Sequence, residues 1–234
     1  MTNKNITNKL LIVNCQLSII LVFLFSFTVY GQQDDPRSKK IIDDMTSRFK
    51  SYPSVFLNFS VNMTQLQDNS ETEHEGKIWV KNDKYKLEIP DYVIYFDGMK
   101  IYQYLPGVNE VNITKPDPYE DDEDFQLLNP QTYFNISSTN FKSNFLRESK
   151  QNNRSVYEID LYPIDFSGSK YIRIRLMIEK NSKQLVYLRA VMKDGTHYTI
   201  TFKPYTIEKT ALRDSFFVFN KSEHPNVEII DLTF

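Results

Sequence analysis

Residues 96–111 read Phe96-Asp97-Gly98-Met99-Lys100-Ile101-Tyr102-Gln103-Tyr104-Leu105-Pro106-Gly107-Val108-Asn109-Glu110-Val111. Two turn signals bracket an aromatic strand. Asp97-Gly98 supplies the left-handed residue that a tight hairpin needs, residues 101–104 read as a strand, and Pro106-Gly107 turns the chain into the next one. This is one repeat unit of an antiparallel meander.

The same pattern extends in both directions. Upstream, Leu57, Phe59, Val61 and Met63 alternate with Asn58, Ser60, Asn62 and Thr64, the period of a strand with one wet and one dry face. Residues 76–80 form the next strand. Tyr85, Leu87 and Ile89 then alternate with Lys84, Lys86 and Glu88, with Asn82-Asp83 as the turn between them, and 92–96 is an apolar run. Before all of these, Ile41, Ile42, Met45 and Phe49 recur at helical spacing, which predicts one amphipathic helix ending before Pro53.

Downstream of a strand at 108–113 the pattern breaks. Pro116, Pro118 and the acidic run of residues 120–124 form a loop, and Phe125, Leu127, Leu128, Tyr133 and Phe134 predict one or two short helices limited by Pro130. Strands return at 156–162, 171–179, 185–192 and 197–203, with Asp194-Gly195 as a second tight-hairpin signal, followed by 216–219 and 227–232. The sum is mainly β (α+β): an incomplete antiparallel β-barrel of about 10–11 strands, with an N-terminal helix and a short helical lid. Whether side chains fill such a barrel or leave a cavity does not follow from alternation.

Residues 1–31 have the layout of an export signal: Lys4 and Lys9, an apolar run at 17–29, and small Gly31 before Gln32-Gln33. Cleavage after Gly31 is expected, and residues 32–234 would then be a single domain. The competing reading is an uncleaved anchor, since residues 10–13 lengthen the apolar stretch, although Asn14, Cys15 and Gln16 interrupt it. Cys15 precedes most of the apolar run and follows Asn14, so it makes a poor lipid-modified cysteine.

The exported part would hold roughly 203 residues and no cysteine, so its core must be sufficient without a disulfide in an oxidising compartment. Without Lys4 and Lys9 the balance is 26 basic against 30 acidic residues, which does not suggest nucleic acid. Aromatic content is 14%, with 15 Tyr and 17 Phe but one Trp, so many rings must line a core or a cavity.

Groups suited to catalysis are scarce. His74, His197 and His224 are far apart and fit no motif, and there is no nucleophile elbow or phosphate-binding glycine loop. Residues 120–124 lack the spacing and glycine of a calcium loop, and Asp97 and Asp194 read as hairpin residues rather than a carboxylate pair. Arg173 and Arg175 alternate with Ile172, Ile174 and Leu176, which puts both guanidiniums on one strand face and favours an outward, solvated face over an anion site. No catalytic residue, metal or cofactor is expected.

Several motifs carry a family resemblance. Gly76-Lys77-Ile78-Trp79-Val80-Lys81, Tyr85-Lys86-Leu87-Glu88, the Asp97-Gly98 segment, Phe217-Val218-Phe219 and Asn226-Val227-Glu228-Ile229-Ile230-Asp231 occur in the order seen in the LolA family, which this chain resembles from its first helix to near its end. The resemblance implies a non-enzymatic, monomeric periplasmic chaperone. Such a protein takes acylated lipoproteins from an inner-membrane release complex, shields their acyl chains, and passes them to an outer-membrane receptor.

The expected cavity wall is Phe59, Val61, Trp79, Tyr85, Leu87, Ile89, Ile174, Leu176, Ile200 and Phe202, with Leu127, Leu128 and Phe134 from the lid. Core packing and ligand contact both call for inward apolar residues at these positions. One departure stands out. Asn82-Asp83 replaces the family's Arg-Pro, so lid control by that arginine does not carry over. Alternatives are a related open-barrel lipid or glycolipid binder or receptor, and an envelope hydrolase.

Overall fold

The computed structural model describes residues 35–116, 129, 134 and 141–233. The expected export segment, the acidic loop and the lid residues Leu127 and Leu128 lie outside the described residues.

The first element is helix α1, Pro36–Lys50. Asp35 caps it by accepting the Arg37 N–H at 2.9 Å, Pro36 sets the first turn, and Ile41, Ile42 and Met45 form its buried face. Ser51 closes it by donating its N–H to the Ser47 and Arg48 carbonyls, just before Pro53.

The chain then forms β1 (Ser54–Gln65), β2 (Ser70–Lys81), β3 (Lys84–Glu88), β4 (Val93–Phe96), β5 (Ile101–Leu105) and β6 (Glu110–Thr114). Later in the chain come β7 (Phe141–Gln151), β8 (Arg154–Pro163), β9 (Tyr171–Glu179), β10 (Leu185–Met192), β11 (Thr196–Phe202), β12 (Thr206–Glu208) and β13 (Glu228–Asp231). They make one sheet in the order β13-β6-β5-β4-β3-β2-β1-β11-β10-β9-β8-β7, with β12 beside the start of β1. Two meanders meet at β1, which pairs with β2 on one side and β11 on the other. All pairings are antiparallel except β13 with β6. The end strands β13 and β7 do not pair with each other, so the barrel is incomplete.

The turns explain how a long meander manages with six glycines. Asn69, Asn82, Asn109, Asn152 and Asn153 occupy the left-handed region at hairpins, using the residue type that tolerates it best after glycine. Gly98 and Gly195, with φ of 96° and 91°, serve the two Asp-Gly hairpins. At the β5–β6 turn the left-handed residue is Asn109 rather than Gly107.

Thirteen strands replace the 10–11 expected, and three segments differ in kind from their reading in the sequence. β7 was not expected, because its period of two holds only from Phe141 to Phe145; a register shift before Arg147 then inverts it, and the rest is polar. β12 is too short to carry a pattern. Residues 216–219 do not form a strand: Asp214–Phe217 is a single 3₁₀ turn.

Edge strand β7 is partly blocked by Asp35, whose N–H donates to the Ser143 carbonyl at 3.1 Å and whose Oδ2 accepts the Phe145 N–H at 3.0 Å. One residue therefore caps α1 and occupies the edge where another chain could add a strand.

Candidate functional site

Alternation gives the sheet an inner face, beneath α1, and an outer face. On the inner face, directly paired residues line up in rows across the strands. One row runs Val61, Ile200, Leu188, Leu176 and Ile159, and another runs Leu57, Ile78, Leu87 and Ile94. Ile41, Ile42 and Met45 press on these rows from α1 to make one continuous apolar cluster.

Eight expected wall residues lie within that cluster and are buried: Phe59, Tyr85, Leu87, Phe134, Ile174, Leu176, Ile200 and Phe202. Val61 and Ile89 are half-buried against it. Phe134 acts as a plug, stacked on Phe49 of α1 with centroids 3.8 Å apart and tilted against Phe202 at 5.9 Å. Tyr205 meets Phe49 and Phe134 edge-on and donates its hydroxyl to the Leu185 carbonyl at 2.7 Å. Beside this plug a hollow of about 270 Å³ opens between Phe49, Tyr52, Val55, Val80, Asn82 and Asp83. Asn82-Asp83 thus forms both the β2–β3 turn and part of a rim.

Trp79 is the exception. Its neighbours Ile78 and Val80 point inward, so Trp79 sits on the outer face and does not belong to the expected wall. The sequence held the signal: Trp79 alternates in phase with Lys77 and Lys81.

On the outer face, Phe56, Trp79, Lys86, Tyr95 and Tyr102 form a row across five strands. Trp79 stacks on Phe56 at 4.9 Å and meets Phe216 edge-on at 5.7 Å. The Lys86 ammonium lies 5.0–5.5 Å from the Tyr95, Phe216 and Trp79 centroids and pairs with Glu88 at 2.8 Å. Burial raises the Tyr95 phenol pKa, against an opposing pull from Lys86.

Residues 209–227 strap this row. The Leu212 N–H donates to Ser54 Oγ at 3.0 Å, and Lys81 donates to the Leu212 carbonyl at 2.6 Å and to Asp214 at 2.7 Å. Lys84 adds a second ion pair to Asp214 at 2.9 Å, and hydrogen bonds from Lys81 and then Lys84 pull the Asp214 pKa down to about 2. Phe217, Val227, Val111 and Tyr95 are buried there without joining the inner cluster, so the strap closes a second, smaller core.

The outer face of β8–β11 carries a cluster of paired charges. Arg175 binds buried Asp160 through two hydrogen bonds of 2.8 and 2.9 Å, and Arg173 adds an ion pair at 3.4 Å. The two arginines share a face, as expected, but a carboxylate holds them. Arg189 donates to His197 Nδ1 at 2.9 Å; burial, followed by Arg189 and Arg173, lowers the His197 pKa. His224 stacks on Phe219 and His74 is exposed, so the three histidines remain apart. Asp97 Oδ1 accepts the Met99 and Lys100 N–H groups, each at 2.7 Å, and Asp194 Oδ1 accepts the Thr196 N–H at 2.8 Å; both carboxylates hold turns.

No family model matches the chain, and no curated protein matches it. Among solved structures it is similar to an uncharacterized conserved protein from Thermus thermophilus, at 8% identity and a TM-score of 0.53, covering 83% of this chain and 99% of that one. It is also similar to a LolA superfamily protein from Nitrosomonas europaea, at 13% identity and a TM-score of 0.43 over 78% and 97% of the two chains. LprF from Mycobacterium bovis gives 14%, 0.42, 76% and 99%. The likeness to the Thermus thermophilus protein extends over nearly the whole of that chain and concerns the fold alone. The open sheet carries one apolar face under a helix, and no described helix is long and apolar enough to cross a membrane.

Proposed function

We propose that the protein is a periplasmic carrier that shields the acyl chains of lipoproteins on the inner face of its sheet, moving them from an inner-membrane release complex to an outer-membrane receptor. The observation that carries this reading is an incomplete barrel whose inner face is apolar across both meanders and is covered by one helix and Phe134 rather than by a second sheet. Acyl chains need such a dry surface, each buried methylene contributing roughly 0.8 kcal/mol, and need no reacting group.

The packed centre sets a condition on binding. An acyl chain enters by displacing the Phe134 plug or the end of α1, next to the hollow at Phe49 and Tyr52, so binding energy is offset by lost packing. That offset keeps affinity low enough for handover. The functional wall is then Phe59, Val61, Tyr85, Leu87, Ile89, Ile174, Leu176, Ile200 and Phe202, with Phe134 as the gate.

The test uses liposomes bearing a triacylated lipoprotein. After incubation with the purified protein and sedimentation, a complex of lipoprotein and protein is expected in the supernatant. Lipoprotein remaining wholly in the pellet overturns the carrier reading.

A further inference from the structure

The strap over the outer face borders a half-open hollow of about 590 Å³, within the range of roughly 300–1,000 Å³ typical of small-molecule sites. Its position separates it from the inner face by the full thickness of the sheet. Lys86 and Tyr95 line it from the sheet, and Leu212, Phe216, Val218 and Phe219 line it from the strap.

The charges around it are unequally committed. Lys86 is paired with Glu88 and set among three rings, so its cation is already compensated. Glu223, the single acid in the lining, accepts a hydrogen bond from Asn220 Nδ2 at 2.8 Å and, like Arg213, has no ion pair among the described residues, so an anionic ligand must sit on the Arg213 side of the hollow. Arg213 is exposed at the hollow and has no ion pair among the described residues, although the neighbouring Asp214 is held by two lysines.

A free guanidinium next to a ring-lined hollow combines the two features that recognise a flat anion. Its planar fork matches a carboxylate in two parallel hydrogen bonds, and the Phe216, Phe219 and Tyr95 rings offer offset or edge-on contact to an aromatic body. We propose that this outer hollow is a binding site for an aromatic carboxylate, with Arg213 holding the carboxylate and Phe216 and Phe219 holding the ring. The site is independent of the acyl-binding face and stands or falls separately from the carrier reading.

Isothermal titration calorimetry with 2-naphthoate and with neutral 2-naphthamide tests it on the purified protein. Saturable one-site binding of the acid is expected, with the amide about tenfold weaker or more, since a charge-assisted pair contributes roughly 1.5–3 kcal/mol. Arg213→Gln, a change at an exposed side chain, should weaken the acid about tenfold and leave the amide unchanged. Phe216→Leu keeps the site apolar but removes a ring, and should weaken both ligands roughly two- to tenfold. No saturable binding, equal affinity for acid and amide, or an Arg213→Gln variant that binds 2-naphthoate as the parent does would each overturn the assignment. Unchanged binding by Phe216→Leu would overturn the aromatic part of it.

Discussion

The two faces of the sheet are both apolar in part, yet they are built in different ways. The inner face is assembled from side chains scattered over the whole chain, so α1, both meanders and Phe134 contribute to one large cluster. On the outer face, residues 209–227 cover a small core over β1–β6 and pin it with Lys81, Lys84 and Ser54. Over β8–β11 the same face carries paired arginines and carboxylates instead. The contrast teaches that ring content alone does not locate a cavity. What matters is which element covers the rings and how firmly it is held.

The largest expected effect is on the inner cluster. Leu176→Ala, at a fully buried position in a five-strand row, should lower unfolding stability by about 4 kcal/mol in urea titrations. Phe217→Ala should cost about 3 kcal/mol, and it should also shift Trp79 emission to the red, because Phe217 is the fully buried residue of the strap that covers this single tryptophan. If Leu176→Ala shifts folded-state emission as much as Phe217→Ala does, the two cores are not separate.

Gly76→Ala probes the inner face alone. The Phe59 ring lies over Gly76 on the neighbouring strand, so an added Cβ would collide with it and push it from its place in the cluster. A loss of about 2 kcal/mol, measured by thermal unfolding, is expected.

The smallest effect concerns the strap. Asp214 titrates at about 2 in the folded chain, below its ordinary 3.8, because Lys81 and Lys84 hold its charged form. A depressed carboxylate contributes stability above its unfolded pKa and loses it as pH falls through the folded value. Strap anchoring should therefore weaken between about pH 4 and about pH 2, read as a change in Trp79 emission that Asp214→Asn abolishes.

Most of the inner face was legible because it obeys a period of two and the helix a period of 3.6. Val55, Leu57, Phe59 and Val61 announce their side of β1, and Ile41, Ile42 and Met45 their side of α1. The Asp-Gly hairpins were legible for a local reason, since only a few residue types tolerate the left-handed conformation. β7 was hidden by its bulge, and Trp79 was assigned to the wall by motif although its phase with Lys77 and Lys81 places it outside. The strap was unreadable because Leu212, Phe217 and Val227 follow no period; long-range anchors to Ser54, Lys81 and Asn109 determine its path. Burial also decides where a charge can probe the wall without unfolding it, and Leu87→Glu fails that condition. Leu87 is 1% exposed within the core, so a charge there should unfold the protein rather than report on a ligand, and half-buried Val61 or Met63 is the better position.

The central claim is that acyl chains lie on the inner face. A triacylated lipoprotein carrying a photoactivatable group in one acyl chain, irradiated with the protein and mapped by mass spectrometry, addresses this directly. Adducts should fall on the inner fringe around Tyr52, Val61, Met63 and Ile89, and on Phe134. Adducts concentrated on Tyr95, Phe216 and Phe219 of the outer hollow would contradict the account.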